Sequence, residues 1–507
     1  MFDATSFLKI YAAKRAYEHR RLVPDRCQEA QLKWLCGRAS GTVFGKQHGL
    51  GAIRSVEDYQ KAVPIRSYEE FWHEYFKGTF PRLENILWPG LIKLYAVSSG
   101  TSSASTKYLP ISPEMLQSNK KAALDLLVYH LQNFPGSKIF GGRNFFLGGS
   151  AELVEEAPGI FSGDLSGIVA KTLPFWVKPW YYPPLELALI KNWEEKMEVF
   201  AKNCPLDSIR LLSGVPSWIL IFLDYIKKSF PSRGTHLKDF FPNLEILVHG
   251  GVNFAPYLQQ LQELMKGSKA QLRETYPASE GFIAIADRAY GEGLRMNLDT
   301  GIFYEFVPIE ELDSPNPTRH WIKNVEKDVN YALIMTTCAG LWSYKIGDTV
   351  RFVDFNPPRI LVTGRTSYMM SAFGEHLIGE EIETAIAKAA ESIGESIADY
   401  SVGALYPTNA SELGGHLFII EFTRNNVSDE AIKDFSRCLD QELQRNDDYK
   451  AHRADGFGLQ APCVKIVPKG TFNAWMKSRG KLGGQNKVPR IINDQELFTN
   501  LRNFSEV

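Results

Sequence analysis

Between residues 208 and 286 the chain repeats one arrangement: a short apolar run, a turn built on Gly, Pro or Ser, and a further regular stretch. Ser208-Ile209-Arg210-Leu211-Leu212 reads as a strand, Ser213-Gly214-Val215-Pro216 as a turn and 217–228 as a helix whose Ser/Pro start suits a helix N-terminus. Residues 244–248 give a second strand, His249-Gly250-Gly251 its turn and 255–266 its helix. Residues 271–274 precede a third turn, Thr275-Tyr276-Pro277-Ala278-Ser279-Glu280-Gly281, with a strand over 282–286. Strands alternating with helices specify α/β layering, in which loops at strand carboxyl ends surround a ligand. Three such turns are expected to line one crevice.

A chain of 507 residues is too long for one ordinary core. Residues 1–50 space apolar residues as one or two packing helices, and 121–134 reads as an amphipathic helix ended by Pro135-Gly136. A lone helical His130 there reads as packing or surface. Closely spaced strands over 302–307, 332–336, 349–353 and 360–362 suggest a mainly antiparallel section. Beyond it, helices over 380–390 and 429–445 and strands over 417–422 and 464–467 suffice for a small α+β domain. The expected fold class is therefore α/β: a large N-terminal domain over 1–365 with mixed sheets and helices, plus a small mobile α+β domain over 366–507, hinged near 365–373. A Gly- and Lys/Arg-rich tail, 477–490, reads as a mobile arm that carries charge to an anion.

Lys plus Arg number 57 and Asp plus Glu 58, so no global field draws the chain to nucleic acid or an anionic membrane. Six scattered cysteines without a CxxC pair speak against a disulfide framework and a zinc site, and fit reduced thiols in the cytoplasm. The N-terminus has no basic-then-apolar signal pattern, and the apolar stretch 217–223 is too short to span a bilayer. No GxxxxGK[ST], HExxH or GxSxG motif is present, and Gly141-Gly142 with Gly148-Gly149 does not make a dinucleotide fingerprint.

The remaining chemistry gathers in four places. Ser98-Ser99-Gly100-Thr101-Ser102-Ser103-Ala104-Ser105-Thr106-Lys107 offers hydroxyl donors, backbone N–H groups and one cation between a strand near 91–94 and a helix near 112–114, a setting for a polyanion. Tyr276 with Glu280, Tyr344-Lys345-Ile346-Gly347-Asp348 and the basic tail supply an aromatic face, carboxylates and a further cation. ATP chemistry needs such a set: phosphate donors, a carboxylate for magnesium, another for ribose hydroxyls, and a cation for charge at the α-phosphate. Taken singly, each has a bland reading: a solvated Ser/Thr linker, a surface carboxylate, a turn aspartate, one lysine among many.

Together and in this order the stretches resemble the motifs of the auxin-responsive GH-three (GH3) family of acyl-acid amido synthetases, within the adenylate-forming superfamily. Residues 98–110 resemble its phosphate loop SSGTSxGxxKxxP, 276–281 its YxxSE motif and 344–348 its YRxGD motif. Asn446-Asp447-Asp448-Tyr449 and Gln485-Asn486-Lys487-Val488-Pro489-Arg490 resemble NxxY and QYKTPR. Two residues depart from the pattern. Ala104 replaces the second Gly of the loop, and Lys345 replaces Arg, keeping charge but losing the planar fork.

The resemblance implies an adenylate-forming N-terminal domain and a small domain that rotates between half-reactions. It implies that Ser98, Ser99, Thr101 and Lys107 hold the triphosphate, with Lys107 also catalytic, that Gly100, Ser102 and Ser279 contact the nucleotide, that Glu280 binds Mg2+, and that Tyr276 lies against adenine. Asp348 would accept from the ribose hydroxyls, Lys345 would also bind the nucleotide, and Lys487 would swing in as a catalytic residue to stabilise the α-phosphate. Ser213, Val215, Trp218, Gly250, Gly251 and Phe254 would form the acid pocket. The implied reaction adenylates a carboxylic acid with ATP and passes the acyl group to an amine, expected to be an amino acid. A CoA-accepting ligase and a nucleotide-binding protein without turnover are the two alternatives.

Overall fold

The computed structural model describes residues 2–505 apart from 100–105, 150, 176, 191, 252–253, 313, 366–368, 371–376, 407–413, 426, 447–448, 451–452, 454–458 and 482–486. The chain divides into two compact units, one of residues 1–251 and 267–362, the other of 252–266 and 363–507. Among the described residues, helices of eight or more residues are numbered below.

The first unit opens with α1 (Thr5–Arg21) and α2 (Pro24–Ala39), the two helices read from the N-terminal spacing. A four-stranded sheet follows, built from β1 (Leu94–Ser99), β2 (Thr106–Ile111), β4 (Leu153–Ala157) and β5 (Ile160–Gly163) in the order β2-β1-β5-β4. After it comes α3 (Pro113–Asn133), started by a Ser112 side chain that accepts from the Met115 N–H.

A twelve-stranded sheet carries most of the unit. Its members are β3 (Arg143–Leu147), β6 (Tyr181–Tyr182), β7 (Ile209–Gly214), β8 (Ile246–Gly250), β9 (Gln271–Ala278) and β10 (Gly281–Ile285). They continue with β11 (Leu294–Met296), β12 (Ile302–Pro308), β13 (His320–Trp321), β14 (Asn330–Thr337), β15 (Tyr344–Phe355) and β16 (Pro358–Arg365). The spatial order is β13-β12-β14-β15-β16-β11-β10-β9-β8-β7-β3-β6. Strands β6, β3, β7, β8 and β9 run parallel. Helices α4 (Leu165–Thr172), α5 (Trp193–Asn203) and α6 (Pro216–Ser229) occur in the connections of this half. The strands expected over 302–362 form, but as one continuous sheet with the parallel half.

Two buried polar clusters fix this unit. Arg15 donates to Asp125 at 2.8 Å and to Asp299 at 2.7 Å, joining α1, α3 and the turn before β12. Fully buried Glu305 accepts from Arg319 and Ser343, and Ser343 in turn reaches Tyr59. His130 is a buried core histidine 3.3 Å from the Glu245 carboxylate, as the packing reading expects.

The second unit contains α7 (Ala255–Leu264), the short pair β17 (Met369–Met370) and β18 (Leu377–Ile378), and a sheet ordered β21-β20-β19-β22. Those four strands are β19 (Ile397–Leu405), β20 (Gly415–Phe422), β21 (Cys463–Val467) and β22 (Ile491–Ile492). Helices α8 (Gly379–Ser392), α9 (Asp429–Leu443), α10 (Thr471–Ser478) and α11 (Gln495–Phe504) complete it. Helices α8 and α9 match the sequence reading, whereas β19, α10 and α11 were not read there.

The tail differs from a free arm. Lys477 lies in α10, Val402 donates its N–H to the Arg490 carbonyl at 2.8 Å, and the Arg490 guanidinium reaches Asp399 and the Tyr257 hydroxyl. Its carbon lies 4.4 Å from the Tyr400 ring centroid, a cation–π contact. The described ends of the segment are thus anchored. Asn446 likewise has a structural part: its side chain accepts from the Tyr449 N–H, and Tyr449 is fully buried beside Asp440.

Candidate functional site

The hydroxyl-rich loop is a hairpin connection, not a link from strand to helix. Strands β1 and β2 pair antiparallel with Ser98 opposite Lys107 and Ser99 opposite Thr106. Gly100, Thr101, Ser102 and Ala104 lie outside the described residues. Lys107 therefore sits on a strand, its ammonium 5.4 Å from the Tyr68 ring centroid, while the Tyr68 hydroxyl accepts from the Tyr108 N–H at 2.7 Å. Tyr68, whose hydroxyl burial pushes up to about 12, stays a neutral ring beneath that cation.

Tyr276 also lies in a strand. Strand β9 runs on to Ala278, and Ser279 with Glu280 forms a two-residue turn into antiparallel β10, with Ala278 opposite Gly281. The third turn is therefore a tight hairpin. Residues 344–348 open β15, and here the ladder is irregular: β15 advances from Lys345 to Thr349 while β14 advances only from Ile334 back to Ala332. A bulge of this kind turns a side chain out of its regular direction. Gly347 lies inside it at φ +93°, a conformation that a residue with a Cβ adopts only under strain.

The bulge brings the two motifs together. The Tyr276 hydroxyl donates to Asp348 Oδ2 at 2.5 Å, and both residues are buried. The fully buried Tyr344 hydroxyl faces Glu280; burial and that carboxylate's charge push its pKa well above the ordinary tyrosine value. Lys345 is half-buried and its backbone N–H donates to the Arg66 carbonyl at 2.8 Å.

Next to this pair, the parallel strands end side by side. Ser213 is level with Val248, Gly214 with His249, His249 with Glu274 and Gly250 with Thr275. Gly250 has no alternative, since a Cβ there would stand 2.2 Å from the Thr275 carbonyl oxygen. Val215 precedes Pro216 at the start of α6, which carries Trp218. Phe254 and Lys487 belong to the second unit, the former buried and the latter exposed.

Glu274 and Lys196 carry no sequence signal that sets them apart. Glu274 faces low-dielectric surroundings that raise its carboxyl to about 7, and burial lowers neighbouring His249 to about 3. At neutral pH His249 is uncharged and Glu274 is poised between forms. Lys196 of α5 is buried, and its ammonium donates to the Gly149 carbonyl at 2.6 Å and the Ala188 carbonyl at 3.0 Å. An acid inside an apolar strand and a lysine at ordinary helix spacing look alike in sequence whether functional or not.

Among the described residues no group of three or more His, Cys, Asp or Glu side chains could hold a metal ion. A single carboxylate such as Glu280 suits Mg2+ nonetheless, because that ion keeps water and substrate phosphate oxygens as its other ligands.

Family models cover the chain in three parts: the GH3 family N-terminal domain over 14–206 and 161–270, the central domain over 296–365, and the C-terminal domain over 380–496. The protein belongs to the GH3 family. This GH3 chain is 21% identical to jasmonoyl–L-amino acid synthetase JAR4 of Nicotiana attenuata, over 93% of its own length and 92% of that protein's. It is 24% identical to the probable indole-3-acetic acid-amido synthetase GH3.1 of Arabidopsis thaliana, over 95% and 91%. The solved GH3.15 acyl acid amido synthetase matches with a TM-score of 0.79 at 16% identity, over 99% of this chain and 97% of that one. A 2-hydroxyisobutyryl-CoA ligase in its postadenylation state matches at 0.60 and 13%, over 95% and 92%. The GH3 protein thus has the fold shared by amido synthetases and a CoA ligase. Its longest helices give no membrane span: none is long and apolar enough among the described residues.

Proposed function

We propose that this GH3 protein is an ATP-dependent acyl-acid amido synthetase. The observation that carries the reading is the Tyr276–Asp348 hydrogen bond, which unites two nucleotide motifs 72 residues apart in a chain matched by GH3 models over 14–270, 296–365 and 380–496.

In the first step the acid carboxylate attacks the α-phosphorus of ATP and pyrophosphate leaves. In the second an amino-acid amine attacks the acyl-adenylate carbonyl, giving an amide and AMP. Such displacements need positioning and charge neutralisation more than a protein nucleophile. Ser98, Ser99 and Lys107, with the loop between them, bind the triphosphate. Tyr276 and Ser279 meet the base, and Asp348, oriented by Tyr276, accepts from ribose hydroxyls with Lys345 nearby in sequence. Glu280 would hold Mg2+, which would supply charge neutralisation on phosphate oxygens when bound. Lys487 stabilises the α-phosphate during adenylation, carried by a 366–507 domain that rotates about 365–373. Ser213, Val215, Trp218, Gly250, Gly251 and Phe254 shape the acid pocket. Six free cysteines support a cytoplasmic protein.

The test is pyrophosphate release from Mg-ATP with pooled carboxylic acids, without acceptor, with pooled amino acids and with CoA. Amide products under the amino-acid arm support the reading. The likeness to a CoA ligase favours a second one, and stimulation by CoA alone would establish it in place of the first.

A further inference from the structure

The carboxyl end of β3 opens into a pocket that none of the family motifs touches. Beyond Leu147, which is level with Gly214 of β7, the chain turns through Gly148 and Gly149, so the pocket adjoins the same strand ends as Ser213. Its interior admits a group about the size of a water molecule or a carboxylate oxygen, about 20 Å³, and the rest of it is open to solvent. One wall is apolar and flat: Phe146 stacks on Tyr181 with centroids 5.1 Å apart and planes 13° from parallel. Ser166 of α4 closes another side, packed so tightly against the turn that a Cβ on Gly148 would lie 2.9 Å from the Ser166 Cβ. The Ser166 hydroxyl oxygen is buried and makes no hydrogen bond.

The charge in this pocket is Lys196. It is 2% exposed, it is one of the residues lining the pocket, and its two hydrogen bonds go to the neutral carbonyls of Gly149 and Ala188. The ammonium also lies 5.5 Å from the Phe200 ring centroid, and its third donor makes no hydrogen bond among the described residues, so a guest can accept from it. Buried lysines are ordinarily paired with a carboxylate, because an uncompensated buried charge is costly. Here burial lowers the pKa to about 8, with only a weaker opposing influence from the Asp164 charge. A pocket with a cation short of an anion, a hydroxyl short of a partner and a flat apolar wall suits one ligand chemistry.

We propose that this pocket is a carboxylate-binding subsite, in which Lys196 pairs with the carboxylate, Ser166 donates to it and the Phe146–Tyr181 stack covers the ligand's apolar body. The carboxylate belongs either to the acid or to the amino-acid acceptor; that origin, though not the subsite itself, rests on the ligase reading above. The experiment measures binding to the full chain without ATP, so that failure of catalysis and failure of the subsite are separable. Probes are benzoate and L-alanine beside their amides, benzamide and alaninamide, in which a neutral carboxamide replaces the carboxylate, titrated calorimetrically into wild type, K196M, K196R and S166A.

The expected result is that at least one carboxylate binds wild type ten-fold or more tightly than its amide, and the preference identifies the source. K196M should reduce it below two-fold, K196R should retain most of it, and S166A, which breaks no existing bond, should weaken it about three-fold. Should K196M not fold, the K196R and S166A results decide. Equal binding of carboxylates and amides by wild type, absence of binding by either carboxylate, or a preference unaltered in the variants would reduce Lys196 to a clamp on the Gly149 turn and overturn the proposal.

Discussion

The hydroxyl of Tyr276 on β9 donates to the carboxylate of Asp348 on β15, two strands separated in the sheet by β10, β11 and β16. The contact exists because β15 is bulged at Gly347, whose φ of +93° lets the chain direct Asp348 away from the regular ladder. A hydrogen bond to a charged acceptor contributes about 1.5–3 kcal/mol. Tyr276→Phe should therefore raise the KM for ATP about ten-fold. Gly347→Ala should act through the same contact, with an effect of similar size, and Asp348→Ala should weaken ATP most. ATP titrations with the three variants check the order; a Gly347→Ala protein with unchanged ATP affinity would separate the bulge from nucleotide binding.

Lys487 is exposed in the second unit and should matter to chemistry more than to binding. Lys487→Ala should slow acid-dependent pyrophosphate release by about a hundred-fold, on the scale of losing one preorganised donor at a developing charge. ATP affinity should stay within about two-fold. Single-turnover adenylation measures the first and equilibrium binding the second.

Glu274 predicts a pH signature in stability. Its folded carboxyl, raised to about 7, keeps a proton that the unfolded chain releases near 4.5. The stabilisation from that retained proton is complete below about 4.5 and declines as pH rises to 7, by about 3 kcal/mol at most. Glu274→Gln should match wild type near pH 5 and exceed it above pH 7. Urea midpoints at pH 5, 6, 7 and 8 test this, and parallel profiles for the two proteins would contradict it.

Asp125 and Asp299 share buried Arg15, which holds both carboxyls below their usual range against the opposing effect of burial. Their stabilising contribution is present above the unfolded carboxylate pKa and is lost as pH falls through the lower folded values. Asp125→Ala removes one partner and leaves Arg15 undercompensated, an effect of about 3–5 kcal/mol. Chemical denaturation near pH 7 should show the loss; a change below about 1 kcal/mol would mean that Asp299 alone suffices.

Strands β7 and β8 are legible because strands covered on both faces read as near-continuous apolar runs, as in 209–212 and 244–248, although β8 runs over Ile246–Gly250 and takes in two residues of the expected turn, and β3 and β6 are not read from the sequence. Strand β2 was hidden by Lys107 and Pro110, which suit its place at the edge of the four-stranded sheet. Pro277 similarly disguised the end of β9. Strand β8 pairs only as far as Thr275, so the missing N–H of Pro277 removes no bond on that side. The site motifs could be read as stretches, but not the bulge that joins Tyr276 to Asp348, since it depends on the register between β14 and β15. Lys196 and Glu274 were illegible for a different reason: their surroundings come from distant segments, and only burial separates them from surface charges.

The most direct test of the central claim is acid-dependent pyrophosphate release with product identification by mass spectrometry, using wild type beside Asp348→Ala and Lys487→Ala. The account predicts amide conjugates and AMP from wild type with an amino acid present, and at least ten-fold less product from both variants. Thioester formed only with CoA, or amide formed equally well by the two variants, would contradict it.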